Sequence, residues 1–130
     1  AVIKHLTHGE RHTAREIVER DENSQLDMAQ LAAGYTFTED DTLAHWLTEY
    51  QRAAEEFERA VAGVDSLDEL IPQPTAPWQS EREWWSVRRI VIHRLRETAH
   101  HCGHLDIIRE ALDGQTTMGV LMADRGLTFE

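Results

Sequence analysis

With 24 acidic against 13 basic side chains in 130 residues, a formal net charge of −11, the chain is long enough to bury one hydrophobic core and too acidic to favour a phosphate backbone or an anionic membrane surface. Nucleic acid and membrane are therefore not expected as partners, and no apolar run approaches the roughly 20 residues needed to cross a bilayer. Cys102 is the only cysteine, so an intrachain disulfide is ruled out. With no charged-then-apolar leader at its start, the sequence is expected to be a single soluble, cytoplasmic domain over residues 1–130.

Val2, Ile3, Leu6, Ala14, Ile17 and Val18 recur at mostly helical spacing, which predicts a first helix over about 2–20. The polar run Asp21-Glu22-Asn23-Ser24-Gln25 and Gly34 break that pattern, leaving a long connection to Phe37 in which Leu26, Met28 and Leu31 suggest a short packed turn. Thr38 followed by Glu39, Asp40 and Asp41 reads as a helix N-cap with an acidic first turn, where the helix dipole favours negative charge. The helix it opens should run to about Ala62, with Leu43, Trp46, Leu47, Tyr50, Ala54, Phe57 and Val61 forming its apolar stripe.

Pro72, Pro74 and Pro77 exclude a continuous helix between Gly63 and Trp84, so an extended crossing loop is expected there. Ser86 is a plausible N-cap for a last long helix, and Gly114 a residue that would stop it after Asp113. Its inward stripe reads Val87, Ile90, Arg94, Glu97, His101, Leu105, Ile108 and Leu112, apolar at both ends and polar in the middle. The remaining tail, 115–130, shows little periodicity and is assigned no element. Trp84 and Trp85 would cap one end of a bundle or line the mouth of a pocket.

The polar middle of that last stripe carries the chemistry. Glu97, His100, His101 and His104 form the densest set of metal-ligand side chains in the chain, and residues four apart project from one face of a helix, so Glu97 and His101 would grip one divalent cation. Burying them unpaired in a bundle would cost several kcal/mol, whereas coordination satisfies both, on the order set by desolvating charged groups. His5, set among Val2, Ile3 and Leu6, is the candidate third ligand from another helix, completing a three-ligand site with an open position. His104 lies one step from the ligand face, where it would either support a ligand from behind or touch the substrate.

Other pairs compete at the same spacing: His8 with His12, His93 with Glu97, and His100 with His104. His8 and His12 flank Glu10 and Arg11 in a more polar turn, and His93 and His100 fall beside Arg89 and Arg96 and are expected to be exposed. The small pair Cys102-Gly103 would let another helix approach the ligands closely. The plain alternative is that Glu97 pairs with Arg94 or Arg96, no metal binds, and the histidines coat a solvated face.

The stretch from Trp85 to His93, continuing through Glu97-Thr98-Ala99-His100-His101-Cys102-Gly103-His104 to Asp113-Gly114, resembles the last bundle helix of the DinB-like superfamily, within it the domain-of-unknown-function group 664. Val2-Ile3-Lys4-His5-Leu6 with Glu10-Arg11-His12 resembles that group's second helix, and with Thr42 to Ala60 the resemblance spans nearly the whole chain. It implies an all-α fold, an up-down-down-up four-helix bundle with a long crossing between the second and third helices. Since three long helices are read from this sequence, the family's first helix is expected to be absent from it.

The resemblance also places the family's metal histidine of the second helix on His5 and its i, i+4 pair on Glu97 and His101. Many DinB-like members carry histidine at the first position of that pair; the glutamate here is shared with the mycothiol-dependent maleylpyruvate isomerase branch, and His104 stands where the superfamily often has glutamine. Zinc or nickel would suit two imidazoles and one carboxylate. The implied activity is that of a thiol-dependent, mycothiol-type S-transferase or isomerase, with the divalent metal activating thiol or water towards a small-molecule substrate. The alternative, from a different class, is a non-catalytic, metal-stabilised bundle that acts as a binding or stress-response module. A homodimer is expected in either case.

Overall fold

The computed structural model describes residues 1–128. The fold class is all-α: among the described residues, helices α1 (Val2–Glu19), α2 (Met28–Gly34), α3 (Leu43–Ala62), α4 (Val87–Asp113) and α5 (Thr117–Asp124) are joined by one short antiparallel pair, β1 (Leu70–Pro72) and β2 (Trp84–Ser86). The chain divides into two compact units, Ala1–Leu95 and Arg96–Glu130. No helix of the described residues is long and apolar enough to cross a membrane.

The first unit is built on the packing of α1 along α3. Helix α1 buries Leu6, Thr7, Glu10, Thr13, Ala14 and Ile17, three or four residues apart along one face. Two of these are hydroxyls, and each is satisfied within its own helix: Thr7 Oγ1 donates to the Ile3 carbonyl at 2.8 Å and Thr13 Oγ1 to that of Gly9 at 2.7 Å. At Gly9 the Arg94 guanidinium lies where a Cβ would stand, so a larger residue there would displace the end of that side chain. Val18, expected on the inner face, is 71 % exposed, since it falls one residue past Ile17 and points away.

On α3 the buried positions are Ala53 and Ala60, with Phe57 and Val61 packed at the edge of the core. Leu43 and Leu47, expected in the stripe, lie largely in solvent. Small side chains mark the seam because they let two helix backbones come close, whereas hydropathy alone favours the leucines. The cap also moves: Thr42 and not Thr38 is the N-cap, its Oγ1 accepting from His45 N at 3.2 Å. Asp41 is drawn into a knot before the helix. Its carboxylate accepts from Thr38 N at 2.8 Å, Lys4 Nζ at 2.9 Å and Trp46 Nε1 at 2.7 Å, so it holds α1 to the start of α3. Arg11 adds a second tie between the same helices, to Glu49 at 2.9 Å and Glu56 at 3.4 Å.

The connection after α1 contains the short helix α2, opened by Asp27, whose carboxylate accepts from Ala29 N and Gln30 N at 3.0 Å each. Between α3 and α4 the extended crossing is present and partly paired: Leu70 faces Ser86, Ile71 faces Trp85 and Pro72 faces Trp84. That pairing drives Ile71 into the core beside Ala14, Ile17, Ala60, Val87 and Ile90. Arg82 fastens the crossing by donating to the carbonyls of Ser24 at 3.0 Å and Gln73 at 2.7 Å.

Helix α4 starts and stops as its sequence predicts. Ser86 Oγ accepts from Arg89 N at 3.1 Å, and Gly114 takes φ 72°, a left-handed conformation costly for any residue with a Cβ, while its N–H returns to Glu110 O. Val87 and Ile90 are buried, but Ile108 and Leu112, which continue the expected inward stripe, are 49 % and 82 % exposed. Trp85 packs against the first unit's core with the Arg89 guanidinium 4.0 Å above its ring, whereas Trp84 is largely exposed. In the second unit the tail holds a helix that the sequence did not signal. Helix α5 is capped by Thr116 and tied back by a hydrogen bond from Thr117 Oγ1 to Asp106. It buries none of its residues, which is why no clear periodicity announces it.

Several carboxylates make stability fall in acid. Asp41 is held far below the ordinary carboxylate range by the Thr38 N–H and then by Lys4; Glu49 is lowered by its hydrogen bond from Arg11, and Glu69 by the Ser66 N–H and Arg20. For such groups the stabilisation is present above the unfolded value, 3.8 for Asp and 4.5 for Glu, and is lost as pH falls below it. His8 acts in the same direction at higher pH: burial, then Lys4 and Arg11, push it below 6.5, so protonation opposes folding as pH drops under that value. Glu10 opposes the trend, because burial raises it, and its share of stability is fully present below 4.5 and lost as pH rises. With three carboxylates and one histidine against one, the melting temperature should drop as pH is lowered from 7 to 3, most steeply below about pH 4.5, and Asp41→Asn should flatten the acid branch. Thermal melts across that range check this, and a flat profile would contradict it.

Candidate functional site

Each unit contributes candidate ligands, and each is held by identifiable neighbours. In the first unit, His5 sits on α1 with Lys4 and His8, and this face receives the segment that follows α2. Lys4 Nζ donates to the Thr36 carbonyl at 2.9 Å, the His8 ring packs against Gly34, and Tyr35 stacks on the His5 imidazole with ring centroids 4.3 Å apart and planes inclined by 23°. Three consecutive residues, 34 to 36, thus rest on one face of α1. Tyr35 is the site residue that sequence reasoning missed. Its only signal is that it closes a seven-residue helix whose existence was itself hard to read.

The competing histidines have other neighbours. His8 lies 5.4 Å from the Trp46 ring, His12 Nε2 is 2.8 Å from the Glu16 carboxylate, and His93 meets the edge of Trp85 at 5.3 Å. His93 is consequently half-buried and not exposed as expected, because the turn into α4 folds Trp85 back over it; His100 is exposed.

In the second unit, Glu97 and His101 lie on successive turns of α4, with Glu97 Oε2 3.9 Å from His101 Nε2 and side-chain exposures of 30 % and 15 %. That separation is too long for a hydrogen bond. It does fall within the span of two ligands on one ion, which at about 2.1 Å from the metal stand no more than about 4 Å apart. A carboxylate and an imidazole disposed in this way are spaced as two ligands of one divalent cation would be. His104 comes next: its Nδ1 is 3.2 Å from Nδ1 of His101, and the His100 ring stands edge-on to it at 4.7 Å. Beside them Cys102 is exposed, and the space where Gly103 would carry a Cβ is open, so its small size does not serve a close helix approach as the sequence suggested.

The model of a family described as mycothiol-S-transferase matches residues 1–114, from the start of α1 to the glycine that stops α4. The chain belongs to the mycothiol-S-transferase family. This is a DinB-like family, as the stretches around His5 and Glu97 to His104 suggested. No curated protein and no solved structure matches the chain. For a mycothiol-S-transferase family member, the placing of Glu97 and His101 on successive turns is the feature with most chemical content, because a thiol near neutral pH needs help to become the thiolate that reacts.

Proposed function

We propose that the protein transfers mycothiol, or a thiol of the same low-molecular-weight type, to a small electrophile, and that His5, Glu97 and His101 hold the divalent metal that this requires. All three side chains are half-buried and each offers one ligating atom of suitable type. The observation that carries the reading is the 3.9 Å disposition of Glu97 and His101 inside a family match that covers both. Two imidazoles and one carboxylate suit zinc or nickel and leave room for an exogenous ligand. Bound there, the ion would act as a Lewis acid that lowers the pKa of the thiol.

The chain's own residues do the rest. Glu97 supplies the anionic ligand that keeps net charge on the cation low, and its position on α4 fixes the distance to His101 by helix geometry alone. Tyr35 limits rotation of the His5 ring by stacking on it. In the transfer itself, sulfur forms a bond to the electrophilic carbon and the thiol proton passes to solvent. The electron pair of the bond that breaks leaves with the departing group. In an addition, that pair settles on the acceptor, which then takes up a proton.

The test is direct. Zinc- or nickel-loaded protein is mixed with mycothiol and a thiol-reactive electrophile such as monobromobimane, and conjugate formation is followed against metal-stripped protein. Metal-dependent acceleration supports the proposal; a rate equal to the uncatalysed one with both metals overturns the activity.

A further inference from the structure

We infer that His8 accepts the thiol proton in the proposed transfer, and that the proton reaches solvent through its ring. The inference rests on the mycothiol reading above and names a residue which that reading leaves out. His8 lies three residues beyond His5 on α1, and side chains at that spacing are neighbours on a helix surface, with Cβ atoms about 5–6 Å apart. The segment that follows α2 covers both rings: Tyr35 stacks on His5 with centroids 4.3 Å apart, and Gly34, the residue before it, rests on His8. A thiol drawn to a cation at His5 therefore arrives within one helical turn of a second imidazole.

The surroundings of that imidazole suit it to take a proton. His8 is half-buried beside Trp46, whose indole N–H is already given to Asp41 at 2.7 Å. Lys4 Nζ is given to the Thr36 carbonyl and to Asp41, and Arg11 to Glu49 and Glu56. The groups around His8 thus direct their donors elsewhere, and among the described residues neither of its ring nitrogens is taken up in a hydrogen bond. His12, one turn further along α1, differs in lying 2.8 Å from the Glu16 carboxylate. The charges that face His8 are Lys4 and Arg11 on its own helix and Asp41 just before α3, with His5 and His12 a turn to either side; Gly34 and Trp46 bring none. Burial, then Lys4 and Arg11, hold its pKa below 6.5 against the pull of Asp41, so near neutral pH the ring carries one bare nitrogen. In the step, the S–H bond breaks with its electron pair left on sulfur, an N–H bond forms at that nitrogen, and the imidazolium returns the proton to water. Nothing is oxidised or reduced. The same two cations favour the return.

Three measurements on the full chain test this. In the metal-free parent, the His8 ring followed by proton NMR should titrate with a midpoint below 6.5, and a midpoint above it overturns the inference. With mycothiol and monobromobimane, zinc- or nickel-loaded His8→Gln should conjugate about 100-fold more slowly than the parent, the lower end of what a general base contributes, while its affinity for the same metal by chelator competition matches the parent's. In His8→Ala, added imidazole should restore part of the rate without raising that of the parent. A His8→Gln protein as fast as the parent overturns the inference, as do variants that lose metal along with activity and a His8→Ala protein that imidazole does not rescue. A parent with no metal-dependent conjugation overturns the mycothiol reading and this inference with it; an active parent indifferent to His8 overturns this inference alone.

Discussion

Replacing His101 with alanine should remove the metal and reduce conjugation of mycothiol to the uncatalysed rate, and Glu97→Ala should do nearly the same. Both side chains lie on one turn-to-turn step of α4, with a carboxylate oxygen and an imidazole nitrogen 3.9 Å apart. Losing either leaves too few protein ligands to retain a cation against water. Because thiolate formation depends on that cation in the proposed reaction, the activity loss should exceed about 100-fold, above the 10–100-fold expected when only a residue behind a ligand is removed. Folding should survive, since both side chains are half-buried and neither belongs to the hydrophobic core. Steady-state conjugation rates, with circular dichroism on the same samples, separate loss of function from loss of fold. Full activity in either variant would contradict the assignment of that residue.

The largest stability effect should come from Ile90→Ala or Ile71→Ala. Ile90 is 1 % exposed and Ile71 wholly buried, and both pack with Ala14, Ile17, Ala60 and Val87 in one cluster. Truncating such a side chain loses its transfer free energy and opens a cavity, about 2–5 kcal/mol. That is a large share of the roughly 5–15 kcal/mol by which a native domain is stable. Leu112→Ala on the far part of α4, at 82 % exposure, should change stability by under about 0.5 kcal/mol. Urea unfolding of the three variants checks the contrast; an Ile90→Ala change below about 1 kcal/mol would mean that the cluster is not the core.

That contrast also shows where the sequence could and could not be read. Ser86 and Gly114 were legible as the ends of α4 because each end rests on local chemistry, a hydroxyl that accepts a backbone N–H and a residue free to take positive φ. Leu112 and Leu47 were misplaced for the opposite reason: periodicity says that a face is apolar, and only tertiary packing says how much of it is covered. Ala53 and Ala60 form the α3 seam with little hydropathy signal, since the requirement there is small volume. The sequence points to Thr38 as the cap of α3 and not to Thr42, because the knot in which Lys4 and Trp46 bind Asp41 and start the helix later is tertiary and leaves no local signal.

The candidate site was legible in part. Glu97, His101 and His104 could be grouped because helix spacing alone brings them together. Tyr35 could not, because its stacking on His5 depends on a connection whose path over α1 is set by contacts such as that from Lys4 to Thr36. Ile71 was hidden likewise, in a proline-bearing segment that reads as loop until its pairing with Trp85 carries it inward.

Whether His5, Glu97 and His101 hold one metal ion is settled by elemental mass spectrometry on untagged protein, with His5→Ala, Glu97→Ala and His101→Ala purified in parallel. About one zinc or nickel per chain is expected in the parent, the count set by one three-ligand site, with loss of that metal in all three variants. A metal-free parent, or variants that keep the metal, would contradict it.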